Sequence, residues 1–161
     1  MTETRCTLLF LRKDDHILLA MKKRGFGVGR LNGVGGKLKP NEPLEQALQR
    51  ECEEEINVQP LSYNLVAEHK FYGHNDSFHM HVFVYLSDKW QGEPTETEEM
   101  APAWHPTDAI PYDQMWSDDI LWLPKILENK KIYGEFYFDD ADKVISHTLR
   151  EVGSLPLEEN V

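Results

Sequence analysis

No stretch constrains the fold of this chain more than residues 43–56, PLEQALQRECEEEI, whose apolar and acidic positions fall into register on a helix. With Leu44 at zero and about 100° per residue, Ala47 falls at about 300° and Leu48 at about 40°, one apolar stripe. Glu51 follows at about 340° and Glu55 at about 20°, so both acids prolong that stripe, while Glu54 lies at its edge at about 280°. Glu53, at about 180°, belongs with Gln46 and Arg50 on the polar side. Asn41 or Glu42 is expected to cap the helix, Pro43 to sit in its first turn, and Asn57 to take a left-handed exit. An acidic run is ordinarily a solvated face. Two carboxylates one turn apart on the inward face are a different matter, because they repel each other and charge near a core requires a partner. A hard cation answers that need, and magnesium accepts one or two carboxylates together with phosphate oxygens. Periodicity alone leaves both readings standing.

The segment before this helix is equally distinctive. Residues 22–39 hold Gly25, Gly27, Gly29, Gly33, Gly35 and Gly36, together with Lys22, Lys23, Arg24, Arg30, Lys37 and Lys39. Thr7–Leu11 and His16–Met21 read as strands around a polar turn, Lys13-Asp14-Asp15. Further strands are expected at Leu61–Tyr72, Phe78–Leu86 and Ala103–His105, a second helix at Ile120–Asn129, and a closing hairpin from Gly134–Phe138 and Val144–Leu149. Strands and helices do not alternate regularly, which predicts an α/β chain with helices packed on a mixed β-sheet rather than a doubly wound one. The 161 residues suit one domain, residues 1–161, with Leu155–Val161 expected to fray.

Charge and cysteine usage narrow the function classes. Seventeen Lys and Arg against 28 Asp and Glu give a net charge of −11, which argues against binding a nucleic-acid polymer. No apolar run approaches the ~20 residues of a membrane span, and the N-terminal residues lack the pattern of a secretory signal. Cys6 and Cys52 make no disulfide framework, so the expected setting is cytoplasmic.

Gly36, Glu42, Arg50-Glu51-Cys52, Glu54-Glu55 and Asn57-Val58 stand at the spacing G-x5-E-x7-R-E-U-x-E-E-x-G-U, and this stretch resembles the Nudix box. Cys52 replaces an aliphatic residue, and Asn57 replaces the second glycine. Both are physically mild exchanges. The similarity extends from about Thr7 to Val152. Met21-Lys22-Lys23-Arg24-Gly25-Phe26-Gly27, Gly29-Arg30, Asn32-Gly33, Gly35-Gly36-Lys37, Asp113–Asp119 and Thr148–Val152 are similar to the vertebrate-type branch of MutT homologues, the oxidised purine nucleoside triphosphatases. Leu31 stands where that branch usually has tryptophan, and the Asp76–Trp90 region departs in length.

The resemblance implies an α/β/α sandwich with the box as loop–helix–loop. It implies magnesium-dependent hydrolysis of 8-oxo-dGTP, with 2-oxo-dATP as a second substrate, to the monophosphate and pyrophosphate; manganese is a possible substitute metal. Glu51, Glu54 and Glu55 would hold the metal and supply the catalytic groups, one of them as general base, with Gly35 or Gly36 lending a carbonyl and Glu99 as a remote acid. Lys22 would reach phosphate. Asn32, Trp116, Asp118 and Asp119 would read the base, and Thr7, Leu8, Phe26 and Phe71 would line the pocket. The partner would be a small nucleotide, bound by a monomer.

Residue chemistry agrees where it speaks. Asn offers a donor and an acceptor, Trp a stacking face, and adjacent aspartates suit purine N–H donors. Bare sequence instead makes Ser117-Asp118-Asp119 a good N-cap for the helix that follows. Arg50 is expected to orient a glutamate of the box, Glu42 to be structural, and Arg24 to be merely solvated. His79 and His81 share a strand face without a further ligand at metal spacing, and Trp104 and Trp122 read as core. Other nucleotide pyrophosphohydrolases, including those acting on methylated purine triphosphates or nucleoside diphosphate sugars, and a non-catalytic nucleotide-binding module remain as alternatives.

Overall fold

The computed structural model describes residues 3–157. Its elements run β1 (Thr4–Lys13), β2 (His16–Lys22), β3 (Leu31–Asn32), α1 (Leu44–Ile56), β4 (Gln59–Tyr72), β5 (His79–Gln91), β6 (Met100–Pro106), α2 (Asp119–Leu127), β7 (Ile132–Phe138) and β8 (Val144–Glu151). The strands order as β3-β2-β1-β5-β4-β7-β8, with β6 on β2. Pairs β1–β5 and β4–β7 are parallel and the others antiparallel, so the sheet is mixed, as expected.

Alternation along the central strands builds a core on each face. Leu9, Leu11, Phe83 and Tyr85 point to one side, where Leu48, Cys52 and Ile56 of α1 cover them. Phe10, Val82, Val84 and Phe136 point to the other, where Trp122, Leu123 and Ile126 of α2 cover them. Each large apolar side chain so buried stabilises the fold by about 1.5–3 kcal/mol. Among the described residues, no helix is long and apolar enough to cross a membrane.

One departure from a regular sheet positions the site. β1 pairs with β2 only at Arg12↔Ile17 and Lys13↔His16, beside the turn, while β2 continues along β6. The sheet therefore parts between β1 and β2. The glycine-rich segment fills the opening, held by Thr7 N–H to the Gly36 carbonyl (2.9 Å), Leu9 N–H to Val34 (2.6 Å), Val34 N–H to Leu9 (2.9 Å) and Leu38 N–H to Arg5 (3.0 Å).

Several local expectations change. Neither Asn41 nor Glu42 caps α1: Pro43 holds the N-cap position, Asn41 turns to φ 62°, and the Glu42 carboxylate accepts the Lys39 N–H at 2.9 Å. Asn57 does take the left-handed exit, at φ 60° and ψ 36°. Trp104 is not core, because β6 pairs only with β2; it is 37% exposed and stacks on Trp90. Trp122 is fully buried. Of the stretch expected to fray, Leu157 donates its N–H to Glu68 at 2.9 Å, and 158–161 lie outside the described residues.

Candidate active site

The opening between β1 and β2 leads into a cavity lined by Thr7, Leu8, Lys22, Phe26, Asn32, Phe71, Trp116, Asp118 and Asp119, with Gly35 and Gly36 at its rim. Residues from five separate elements and three loops meet there. The sequence pattern also hid some of its walls: Met80, Val82 and Val84 of β5, Phe138 of β7, Trp122 of α2, and His69 of β4. Period-two alternation marks them only as one face of a strand, the same signal that any core residue carries.

Asp118 holds the N-cap position of α2, as the sequence suggests, but its carboxylate makes no cap bond there. Asp118 instead accepts the Trp122 indole N–H at 2.7 Å, and both Asp118 and Asp119 are buried, at 4% and 2% exposure. Burial pushes the Asp118 carboxyl up to about 6. Burial, with the charge of Asp118 beside it, holds Asp119 well above the usual carboxylate range. Such a pair holds a proton near neutrality and so presents both a donor and an acceptor to the cavity. Asn32 turns its side-chain oxygen to the Gly33 N–H at 2.8 Å. Trp116 is stacked by Phe26, with ring centroids 5.2 Å apart, and carries the Arg30 guanidinium 3.9 Å above its ring.

At the rim, the inward stripe of α1 behaves as its periodicity requires. Glu55 is buried at 4% exposure, Glu51 is half-buried and Glu54 is exposed. Glu55 accepts the Gly35 N–H at 2.6 Å, yet burial pushes its carboxyl up to about 8, with the Glu51 charge adding to the effect. Burial likewise raises Glu51. A Cβ on Gly36 would stand 2.7 Å from the Glu51 carboxylate, and one on Gly35 would overlap the Thr7 carbonyl oxygen, so at Gly35 only glycine lets the loop approach β1 this closely.

Arg50 organises the box. It grips Glu42 with two bonds of 2.8 Å and reaches Glu51 at 2.8 Å, Glu54 at 3.3 Å and the Lys37 carbonyl at 3.1 Å. Those bonds, together with the Lys39 N–H, hold the Glu42 carboxyl down at about 2. Glu99 is close enough for its charge to raise Glu55 further, while Arg24 takes the Glu99 carboxylate at 2.6 Å and holds it below the usual range. Arg24 is thus an ion-pair partner rather than a merely solvated cation. Among the described residues, no group of three or more His, Cys, Asp or Glu converges as a metal cluster. The donors themselves suit a hard divalent cation: Glu51 and Glu55 carry carboxylate oxygens one helical turn apart, desolvated, and Glu55 has no cationic side chain bonded to it. His81, by contrast, is taken by Glu68 at 2.7 Å.

The family model of the NUDIX domain matches residues 2–126. This chain belongs to the Nudix family. Its Nudix relatives include the oxidized purine nucleoside triphosphate hydrolase of Danio rerio, 40% identical over 154 residues, which span 96% of this chain and 99% of that protein. The protein of the same name from Mus musculus is 40% identical over 148 residues, 92% of this chain and 95% of that one. A MutT protein of Bacillus halodurans shares the Nudix fold, with a TM-score of 0.78 at 20% identity over 91% of this chain and 97% of that one. The Nudix family is generally divalent-metal dependent.

Proposed function

We propose that this Nudix chain hydrolyses oxidised purine nucleoside triphosphates, 8-oxo-dGTP and 2-oxo-dATP among them, to the monophosphate and pyrophosphate, and so clears damaged precursors from the nucleotide pool. One observation carries the reading: a single cavity has two buried adjacent aspartates in its wall and a rim of glycines pressed against Glu51 and Glu55. The first arrangement suits a purine edge and the second a polyphosphate. The names of the zebrafish and mouse relatives support the same substrate class.

Glu51, Glu54 and Glu55 would hold magnesium, or manganese in its place. The bound ion would supply polarisation of a phosphoryl oxygen and acidification of a water. Glu54 is free to leave its 3.3 Å contact with Arg50, being exposed at the edge of the inward stripe. Lys22 and Lys37 line the cavity and offset the net charge of −11, which would otherwise repel a polyphosphate. Asp119 in its protonated form donates to a carbonyl of the base, and Asp118 accepts from an N–H, so one site can read oxidised guanine and oxidised adenine. The two cysteines are free thiols, consistent with work in the reducing cytoplasm.

Pyrophosphate release from 8-oxo-dGTP, 2-oxo-dATP, dGTP and dATP, with magnesium, manganese or chelator, tests this. Magnesium-dependent turnover of the oxidised pair is expected, with Glu55→Gln at least about a hundredfold slower and equally stable to heat. Wild-type turnover no faster than that of Glu55→Gln overturns the reading.

A further inference from the structure

His69 lies in β4 and borders the same cavity, yet nothing in the hydrolysis uses it. It is fully buried. Its ring packs against Trp122 with centroids 4.5 Å apart, against Phe136 at 5.2 Å and against Phe71 at 5.8 Å. Neither ring nitrogen makes a hydrogen bond of good geometry, although the Glu68 backbone lies close enough to favour the ring's protonated form. Thr7 Oγ1 and Asp119 Oδ2, from the same cavity, are also buried and unpaired. Three polar side chains from three elements thus leave bonding capacity unspent around one space.

Packing does not explain His69. Leucine or methionine would fill an aromatic and aliphatic niche without burying unpaired nitrogens, which is costly. Burial holds the imidazole down to about 3, so the ring is neutral and carries one N–H donor and one bare acceptor. The indole of Trp122 links it to the acids, because the ring that packs on His69 also donates to Asp118. A purine base presents donors and acceptors side by side along its edges, which matches such a wall.

We propose that His69 is a specificity residue of the base site, one of its ring nitrogens hydrogen-bonding a polar atom of the bound purine beside Asp119. This rests on the reading that a purine nucleotide occupies the cavity. It adds a neutral, non-acidic reader to the two aspartates.

Calorimetric binding of 8-oxo-dGMP, 2-oxo-dAMP, dGMP and dAMP to the full chain, with and without His69→Leu and His69→Gln, tests it apart from catalysis. His69→Leu is expected to melt no lower than wild type while losing about tenfold in affinity for the preferred base, so that the ratio between bases flattens. His69→Gln, which keeps a donor and an acceptor, is expected to restore part of that ratio. An unchanged ratio in His69→Leu overturns the proposal. Should His69→Leu not fold, nitrogen NMR of the wild-type histidine ring decides: a ligand-dependent shift at one ring nitrogen supports the proposal, and no shift at either overturns it. A wild type that binds one purine selectively through His69 but releases no pyrophosphate defeats the hydrolase reading and leaves this one standing. Turnover with an unmoved ratio does the reverse, and a wild type that binds no purine defeats both.

Discussion

A histidine sealed inside a protein without a charged partner ties stability to acidity. Folded His69 refuses a proton down to about 3, whereas in the unfolded chain the ring titrates near its ordinary 6.5. Below 6.5 the unfolded state therefore binds more protons, and stability is lost as pH falls from about 6.5 towards 3. The loss expected from this residue is about 1.4 kcal/mol per pH unit. Urea midpoints of wild type and His69→Leu at pH 7.5 and pH 4.5 check it: the gap in favour of His69→Leu should widen at the lower pH. The contrast with Glu55 shows what residues disclose by themselves. Glu55 was readable because a helix places every seventh and eleventh position in a calculable direction, and an acid in an apolar stripe is an anomaly visible in one dimension. His69 sits in a strand where His, Lys, Phe and Tyr follow each other, and nothing local tells which face meets a cavity. That depends on Trp122 and Phe136, which are far along the chain.

The loop–helix–loop is held together less by its helix than by one cation. Arg50 is bonded to three carboxylates and a carbonyl from both sides of the α1 N-terminus, and its partner Glu42 is nearly fully buried. Arg50→Met should cost about 3 kcal/mol in urea denaturation, since it strands Glu42. Arg50→Lys should recover little, because a single ammonium cannot reproduce a planar two-bond grip. At the other end, Asn57 combines a left-handed backbone with a 2.6 Å bond from its amide to Thr95. Asn57→Val should cost about 1–2 kcal/mol, and Asn57→Gly much less. The helix, its exit and most strands could be read from spacing and turn chemistry. The N-cap of α1 and the partner of the Asp118 carboxylate at α2 could not. At α1 proline holds the N-cap and Arg50 and the Lys39 N–H engage Glu42, while at α2 Trp122 engages Asp118; these are tertiary partners that no window of sequence contains.

Across the whole molecule the sheet separates two tasks. α1 and its core hold the glutamates on one face, and α2 and its core hold the aspartates on the other. Leu123→Ala and Ile56→Ala each empty a fully buried site and should each cost about 2–5 kcal/mol. Their functional effects should differ: Leu123→Ala should blunt discrimination between bases, through Trp122, while Ile56→Ala should slow turnover, through Glu55. Paired measurements of monophosphate affinity and turnover would separate the two. The seam where β1 parts from β2 joins these halves, and it is stitched by four main-chain bonds whose strength does not depend on side-chain identity. A nucleotide anchored by its base is thereby laid along a ruler of fixed length. On the proposed function, backbone geometry decides which anhydride linkage comes to rest beside the carboxylates, and mutations that retune the reading end should leave the point of scission where it was.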